Sequence, residues 1–376
     1  MAAQPGYMQG TANTRRRGDQ VTTSQTRSRT SRSQSGSCTP NTVYSATSIR
    51  TADQYEAALE PHGIEIDDTG LSQNVRKHFC VDEQAVHIRD RIDSLDLERR
   101  GALRSVTIWL NPDDDDFIRT VQSEYKSMVG NSMNEAEFSL YALTDIFMNE
   151  RRNPHFVYEE GNQCWLPERL VQPVNKPDGD KWRAPPAVAR PSNYSWDIRP
   201  DCVYLLSLRA FRLGFRSKVR EHVSVLQNRV VCPYLTLEFK KDSDKNMSRA
   251  RHQVAIAACI ALYNRWELKR SRIAEWTDDH RSQLGHYCLT FMSSTWDVWH
   301  VTPKTFTEWS GCRMRRVYSG NCTIRNDVVQ LVNWINEIHY WGLTVHSPGC
   351  KDDIYARTCA DGDADDADVS MLRIDG

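Results

Sequence analysis

The middle of the chain alternates short apolar runs with one long helical pattern. The runs at 201–208 (DCVYLLSL) and 230–239 (VVCPYLTLEF) have the length of strands that are buried on both faces. From Ser248 to Arg270, apolar residues recur at three- and four-residue steps, and the alanines among them predict a helix that packs closely on a sheet. Two aromatic, β-rich segments follow at 285–293 and 296–302, and their short separation predicts a hairpin.

Helical patterns lie on both sides of this region. Residues 52–101 and 117–149 contain amphipathic fragments, and a polar residue at 131–134 can cap a helix that begins near Glu135. A last amphipathic helix is expected from Ile324 to Trp341. We therefore expect helices to flank a central sheet.

The two ends differ from the rest of the chain in composition. Residues 1–50 are rich in Ser, Thr and Arg, so ordering them would cost entropy with no burial to offset it. The triplet Arg15–Arg17 is typical of a nuclear address or a nucleic-acid-contacting arm, but we favour the alternative of a hydrated tail, because short basic clusters are common in disordered segments. The acidic run ADGDADDAD near the C-terminus is also expected to be disordered.

These patterns divide the chain into four parts. They are a disordered basic tail (1–50), a helical extension (51–130), a main α/β domain (131–345) and an acidic disordered tail (346–376). Inside the main domain, prolines and polar residues between 153 and 200 predict a long surface excursion.

Cysteine usage and hydropathy limit the cellular setting. The 11 cysteines stand singly, with no CxxC pair, and the start MAAQPGYMQG has no apolar leader. We therefore expect reduced thiols in an intracellular protein, nuclear or cytoplasmic and not secreted. There is no run of about 18 apolar residues, so no membrane partner is expected. The chain also lacks a P-loop, a dinucleotide fingerprint and a GxSxG elbow.

Charged side chains at the strand ends carry the candidate chemistry. Asp201 follows Pro200 and opens the first apolar run, while Glu238 and Lys240 stand two apart at the end of the second. Alternation along a strand puts Glu238 and Lys240 on one face. If the two strands are neighbours, both carboxylates and the amine converge. Hydrolysis of a phosphodiester needs hard oxygen ligands for Mg²⁺ or Mn²⁺ and a cation that supports the attacking water.

The chain resembles the PD-(D/E)XK nuclease superfamily in the order of these residues. Pro200-Asp201 is followed by Glu238-Phe239-Lys240 and then by a helix with Gln253 near its start. CPYLTLEFKKD, the Ala-rich helix and the hairpin particularly resemble the fungal nuclease-like branch, over roughly 135–299.

The resemblance implies a restriction-endonuclease-like core, which is a mixed central sheet flanked by helices. It implies that Asp201 and Glu238 bind a divalent metal, Mg²⁺ or Mn²⁺, and that Lys240 positions or activates the water. It adds a glutamate ligand from the preceding helix, Glu135 first and Glu137 second. It also places Gln253 near the metal or the DNA.

Each residue also has a structural interpretation. Asp201 is also typical of a turn after proline. Glu238 and Lys240 are also consistent with an ion pair at a sheet edge, which would contribute under about 1 kcal/mol to stability. Gln253 is also consistent with a solvated position on a helix. The segment between the two strands is longer than in the compact nuclease pattern, which leaves their pairing open. That segment carries a basic set with Phe211 and Phe215 interleaved: Arg209, Arg212, Arg216, Lys218 and Arg220. It is typical of a phosphate-contacting face or of a helix with a hydrated basic side.

The sequence therefore predicts a metal-dependent nuclease that acts on nucleic acid, with DNA favoured over RNA. In this hypothesis the basic segment positions the strand. The alternative is a catalytically inactive protein of the same fold that serves as a nucleic-acid-binding or accessory factor, for example in a fungal metabolite gene cluster or a selfish element. The presence of all four functional groups favours the active interpretation.

Overall fold

The computed structural model describes residues 52–69, 108–148, 158–160, 163–211, 213–271 and 273–360. The predicted basic tail, the amphipathic fragment VDEQAVHIRDRIDSL and the acidic run ADGDADDAD after its first residue lie outside these residues. None of the helices in the described ranges is long and apolar enough to cross a lipid bilayer.

A seven-stranded mixed sheet forms the centre of the described structure. Its order is β1-β9-β8-β7-β6-β5-β4, and β2 and β3 form a separate antiparallel pair. The strands are β1 Ile64–Asp67, β2 Tyr158–Glu160, β3 Gln163–Trp165, β4 Pro167–Val171, β5 Cys202–Ser207, β6 Val230–Lys240, β7 His286–Met292, β8 Thr295–Pro303 and β9 Cys312–Asn321.

Helices cover both faces of the sheet. They are α1 Ala52–Leu59, α2 Asp115–Gly130, α3 Glu135–Tyr141, α4 Arg216–His222, α5 Asp244–Arg270, α6 Asp278–Ser282, α7 Arg325–Trp341 and α8 Ser347–Ala360. Short π-helical turns at Ala142–Ile146 and Gly342–His346 continue α3 and α7. The prediction of an α/β fold with a mixed sheet between helices is confirmed.

The register of the central strands fixes the position of the charged residues. Strands β4, β5 and β6 pair antiparallel, with Cys202 opposite Leu237. Helix α5 then crosses over, so that β7 runs parallel to β6 with Thr290 beside Glu238. The predicted hairpin is β7 and β8, which pair antiparallel. Helix α5 begins at Asp244 because the Ser243 hydroxyl caps it by accepting the Asn246 N–H.

Two apolar layers hold the sheet between the helices. On one face α5 presents Val254 and Ala258 to Cys288 and Trp299. On the other face, α2, α3 and α7 enclose a cluster that includes Phe239 and Phe291, whose rings stack with centroids 5.3 Å apart. The small side chains of α5 let the helix lie close to the strands.

Three strands of the sheet were not anticipated from the sequence. They are β4, β1 and β9. Strand β4 lies at one edge of the sheet, in the segment that was predicted as an excursion. Strand β1 lies at the other edge, in the predicted helical extension, and pairs parallel with β9. These strands are short or polar, so their own β-propensity is weak. Pairing with a neighbouring strand is what stabilises them. Residues beyond β4 do lack regular structure, and they cover α5 through Trp182, Trp196 and Ile198.

The main fold also extends further toward the C-terminus than expected. Helix α8 occupies the first part of the region from 346 that was predicted as a tail. Ile354 of this helix packs with Leu268 and Val219. Its Asp353 accepts hydrogen bonds from Arg265 and Lys269 of α5. Buried contacts of this kind offset the entropy of ordering a polar segment.

Candidate active site

Four charged side chains meet at the carboxyl end of β6. The Lys240 Nζ atom lies 2.5 Å from Glu238 Oε1, 3.7 Å from Asp201 Oδ2 and 3.7 Å from Glu135 Oε1. The structure therefore brings together the three predicted carboxylates and the predicted amine. We call Glu135, Asp201, Glu238 and Lys240 the carboxylate cluster.

Strand alternation and register place the two core carboxylates. Glu238 and Lys240 project toward the α5 face, whereas Phe239 between them enters the aromatic layer on the other side. Asp201 immediately precedes β5, and its carboxylate accepts the Phe239 N–H at 2.8 Å. The Asp201 N–H in turn donates to Glu238 Oε2 at 3.4 Å. These reciprocal bonds fix one carboxylate against the other, so the longer connection between the strands does not prevent their pairing.

Glu135 reaches the cluster from the first turn of α3. Asn134 caps this helix, and Glu137 closes a capping box by accepting the Asn134 N–H. Glu137 is therefore engaged at the helix terminus, while Glu135 accepts the Lys241 N–H at 3.1 Å. Of the two glutamates considered from the sequence, Glu135 is the one at the cluster.

The cluster holds more negative charge than its single cation neutralises. Glu238 is 1% exposed and Lys240 is 8% exposed. Burial and the neighbouring Asp201 raise the pKa of Glu238 to about 8. Burial also raises the pKa of Asp201 despite the attraction of Lys240. Burial by itself lowers the pKa of Lys240, but the adjoining carboxylates raise it above its ordinary value. Three carboxylates around one ammonium form a site that a further cation would stabilise.

The three carboxylates are the type of oxygen ligand that Mg²⁺ and Mn²⁺ prefer, but they are not arranged in a complete coordination site. Among the residues that the structure describes, no group of three or more His, Cys, Asp or Glu side chains is arranged to hold a metal ion as it stands. The ammonium of Lys240 contacts all three carboxylates and lies among their oxygens. A hard divalent cation prefers such oxygens, and its entry requires the ammonium to shift away from Glu238.

Gln253 lies in α5 and makes no described contact with the cluster. Arg251 faces β8, since its guanidinium lies 5.5 Å from the centroid of the Trp299 ring. Arg249 and Gln253 are two positions away, or about 200° around the helix, so they project from a different side of α5. Gln253 Oε1 and Arg249 Nε are both buried without a hydrogen-bond partner in the described structure.

The predicted basic set lies elsewhere. Its segment joins the end of β5 to the start of β6, roughly 26 Å along β6 from Glu238. The expectation that this segment positions a strand at the carboxylates is therefore corrected. A connection between antiparallel strands must start at the end where the first strand finishes, which is opposite to Asp201.

Most of this basic set is engaged locally. Arg216 donates to the Phe211 carbonyl at 3.0 Å, and Lys218 lies 3.7 Å from Glu221. Arg220 donates to the Asn228 carbonyl at 3.0 Å. Arg209 is exposed, and Arg212 lies outside the described residues.

The aromatic residues of the segment face inward. Phe211 is buried, and the Phe215 ring centroid lies 4.5 Å from that of Tyr355. This arrangement matches the interpretation of a helix with inward aromatics and a hydrated basic side.

Sequence reasoning missed two cations that lie nearer to the cluster. Lys245 is exposed on the first turn of α5, and Arg249 follows one turn later. Their four-residue spacing directly after Lys240 puts them on one side of a helix. That spacing, combined with the strand-to-helix order, is the signal that would have found them.

Comparison of the chain with protein-family models, with curated proteins and with solved structures finds no match. The geometry of the carboxylate cluster is therefore the main evidence for function.

Proposed function

We propose that this protein is a divalent-metal-dependent phosphodiesterase that acts on nucleic acid, with a restriction-endonuclease-like core of the PD-(D/E)XK kind. The observation that carries the proposal is the carboxylate cluster, in which Glu135, Asp201 and Glu238 surround the single ammonium of Lys240. The order of elements supports it: a helix with Glu135, the strand after Asp201, the strand of Glu238 and Lys240, a long helix and a hairpin.

Each residue of the cluster has a distinct role in this proposal. Glu135, Asp201 and Glu238 would hold Mg²⁺ or Mn²⁺, which when bound polarises the phosphoryl group and offsets its developing charge. The Phe239 N–H fixes the orientation of Asp201. Lys240, released from Glu238, presents a donor to the attacking water or to a non-bridging phosphoryl oxygen.

The surroundings of the cluster indicate how a strand is held. Lys245 and Arg249 add positive charge at the start of α5, next to the end of β6. Cations at this position attract the phosphates that flank the scissile bond. Gln253 Oε1 is buried without a hydrogen-bond partner in the described structure, so in this proposal it accepts a hydrogen bond from a water molecule. DNA remains our favoured substrate over RNA.

One observation favours a non-catalytic scaffold as the second candidate function. Lys240 lies among the carboxylates, as it would in a structural ion pair. Loss of one partner from a buried ion pair leaves an unpaired charge and destabilises the fold. Such a pair is therefore retained for stability even in a protein that catalyses no reaction.

Cleavage assays separate the two candidates. Supercoiled plasmid, single-stranded DNA and RNA are incubated with wild-type protein in Mg²⁺, Mn²⁺ or EDTA. We expect cleavage that requires the metal and is lost in Asp201→Asn purified in parallel. Asp197→Asn is the matched control, since Asp197 lies just upstream and pairs with Arg199 at 3.2 Å. Binding of nucleic acid with no cleavage under any condition would establish the scaffold instead.

Metal affinity is expected to depend on pH through Glu238. Its pKa of about 8 in the folded protein means that a proton competes with the cation at neutral pH. The affinity for Mn²⁺ should therefore rise between pH 6 and 8, by up to about tenfold per pH unit, and level off above pH 8. Titration calorimetry in buffers of different ionisation enthalpy also measures the proton released. A flat affinity over this range would remove Glu238 from the ligand set.

A further inference from the structure

A cavity lies between α5 and the irregular segment after β4 that covers this helix. Its volume is about 130 Å³, and its walls include Trp182 of that segment, Pro233 of β6 and Arg265 of α5. Pro233 is five residues before Glu238, or roughly 17 Å away along β6. The cavity is therefore separate from the carboxylate cluster, and its ligand is independent of the proposed function.

Hydrogen bonds fix the wall in which the covering segment meets α5. Asn264 accepts the Arg183 N–H and donates to the Arg183 carbonyl, both at 2.9 Å. Asp178 accepts the Trp182 N–H at 2.7 Å, which shapes the turn that carries the indole. Arg265 follows Asn264 in the helix, and Trp182 precedes Arg183 in the segment. The paired bonds between the two elements thus place the indole and the guanidinium beside the same cavity.

Buried N–H groups of the cavity residues lack an acceptor. Trp182 is 7% exposed and Arg265 is 4% exposed. Trp182 Nε1, Arg265 Nε and Arg265 Nη2 have no hydrogen-bond partner in the described structure. Among the described residues that line the cavity, no buried side-chain oxygen is without a partner. Buried polar groups are nearly always paired, so a ligand of this cavity must supply acceptors.

The buried charge at Arg265 also favours an anion. Arg265 and Lys269 are both buried, and both contact the single carboxylate of Asp353, at 2.5 Å and 3.1 Å. Burial and the adjoining Arg265 lower the pKa of Lys269, even though Asp353 attracts its charge. One carboxylate is thus shared by two cations, and a second anion beside the guanidinium would stabilise both.

The carboxylates in the cavity wall are paired or exposed. Glu267 lies 3.0 Å from Arg270, and Glu221 lies 3.7 Å from Lys218. Asp180 is exposed to solvent. Cations or water therefore offset the charge of these side chains, and the buried guanidinium determines the sign of the ligand.

The size of the cavity fits a compact oxyanion. The volume is room for roughly four water-sized molecules, and a tetrahedral phosphate has four oxygens. Phosphate oxygens accept hydrogen bonds from the planar set of guanidinium N–H groups with matching geometry. The exposed residues Asp180 and Arg183 also line the cavity, so it opens to the surface. A substituent on the phosphate would extend through this opening.

We propose that the cavity is a phosphate-binding site, in which the oxygens of one phosphate group accept hydrogen bonds from the Arg265 guanidinium and the Trp182 indole N–H. The group is either the free ion or the end of a small phosphate monoester. Both forms present the same acceptors to the buried donors, and they differ only at the opening.

The test is a titration of the full chain with inorganic phosphate at constant ionic strength, followed by the indole N–H resonances in a nitrogen-proton correlation spectrum. We expect the Trp182 resonance to move downfield and to saturate with a Kd of about 1 mM or lower, as a few charge-assisted hydrogen bonds provide. A Trp182 resonance that stays in place, or that moves equally with chloride, overturns the proposal, because the cavity then holds only water.

Trp309 is an internal control in the same spectrum. Its Nε1 atom is also buried without a partner in the described structure, but the residue does not line the cavity. Its resonance should therefore stay in place during the titration. Trp182→Phe and Trp309→Phe assign the two signals. Equal shifts at both indoles would show a general effect of phosphate on the protein and overturn the proposal.

An Arg265→Lys variant tests the guanidinium. Lysine keeps the positive charge beside Asp353 but removes the planar set of donors, so the affinity for phosphate should fall at least about tenfold. Arg270→Lys is the matched control, since Arg270 is a half-exposed arginine of the same helix that does not line the cavity. Circular dichroism verifies that both variants are folded, and the wild-type titration does not depend on them. Wild-type affinity in Arg265→Lys overturns the assignment.

Glycerol 3-phosphate distinguishes the two forms of the ligand. It is titrated in the same way, with the Trp182 resonance as the readout. Binding at least about tenfold tighter than that of inorganic phosphate assigns the site to a monoester, since the substituent then adds contacts at the opening. Binding that is no tighter assigns it to the free ion. Failure of both titrations overturns the proposal and leaves the cleavage assays unaffected.

Discussion

A Glu238→Gln variant is expected to lose metal-dependent cleavage and, without divalent metal, to unfold at a higher temperature than the wild type. Glutamine keeps the shape of the side chain and can still accept a hydrogen bond from Lys240, but it removes a buried negative charge beside Asp201. The loss of a ligand should lower the cleavage rate at least about a hundredfold, since a catalytic metal supplies several kcal/mol of transition-state stabilisation.

The gain in stability should follow the pH in a definite direction. The pKa of Glu238 rises from 4.5 in the unfolded chain to about 8 in the folded one. The folded state thus binds more protons between these values, and wild-type stability falls as the pH rises through 8. The variant avoids this loss, so its advantage should be roughly 1 to 3 kcal/mol at pH 8 and above and should vanish below pH 4.5.

Denaturant unfolding at pH 5 and pH 8.5, with EDTA present, measures this difference. Glu168→Gln is the matched control, because Glu168 is a poorly exposed glutamate of the same sheet that lies 3.3 Å from Arg229. That change should leave cleavage intact and should not stabilise the protein. If Glu238→Gln is instead less stable than wild type at pH 8.5, the excess of buried negative charge is not the property that defines this site.

Lys240→Met is expected to lower cleavage by about 10² to 10³, while metal binding is retained or strengthened. Removal of one donor to a developing charge typically costs this factor. The methionine fills similar space, but it takes away the cation that contacts Glu135, Asp201 and Glu238. Without this competitor, the three carboxylates should bind Mn²⁺ at least as tightly as before.

The same change should make the folded protein depend on metal. Carboxylates without their ammonium repel one another, so the metal-free variant should unfold at a lower temperature, and Mn²⁺ should raise its Tm more than it raises that of the wild type. Lys241→Met is the control, since the Lys241 side chain is exposed and only its backbone N–H reaches Glu135. Loss of Mn²⁺ binding in Lys240→Met would show that the lysine builds the site rather than supporting the reaction.

The sequence was sufficient for features that depend on short-range periodicity. The two-residue spacing of Glu238 and Lys240 puts them on one face of any strand, and a polar residue at 131–134 was expected to cap the helix that starts near Glu135, which Asn134 does. The small-residue pattern after Ser248 likewise predicted the helix that covers the sheet. These outcomes follow from local backbone geometry, which the neighbouring residues alone determine.

Only the tertiary structure decided which distant groups meet. Glu135 arrives from the opposite helical layer, 106 positions before the Lys241 N–H that it binds, and the antiparallel register of β5 and β6 brings Asp201 to Glu238. The same register moved the basic segment to the far end of the sheet. The physical reason is that strand register and layer packing are set by the whole core, and no local pattern records which strand or helix a residue will face.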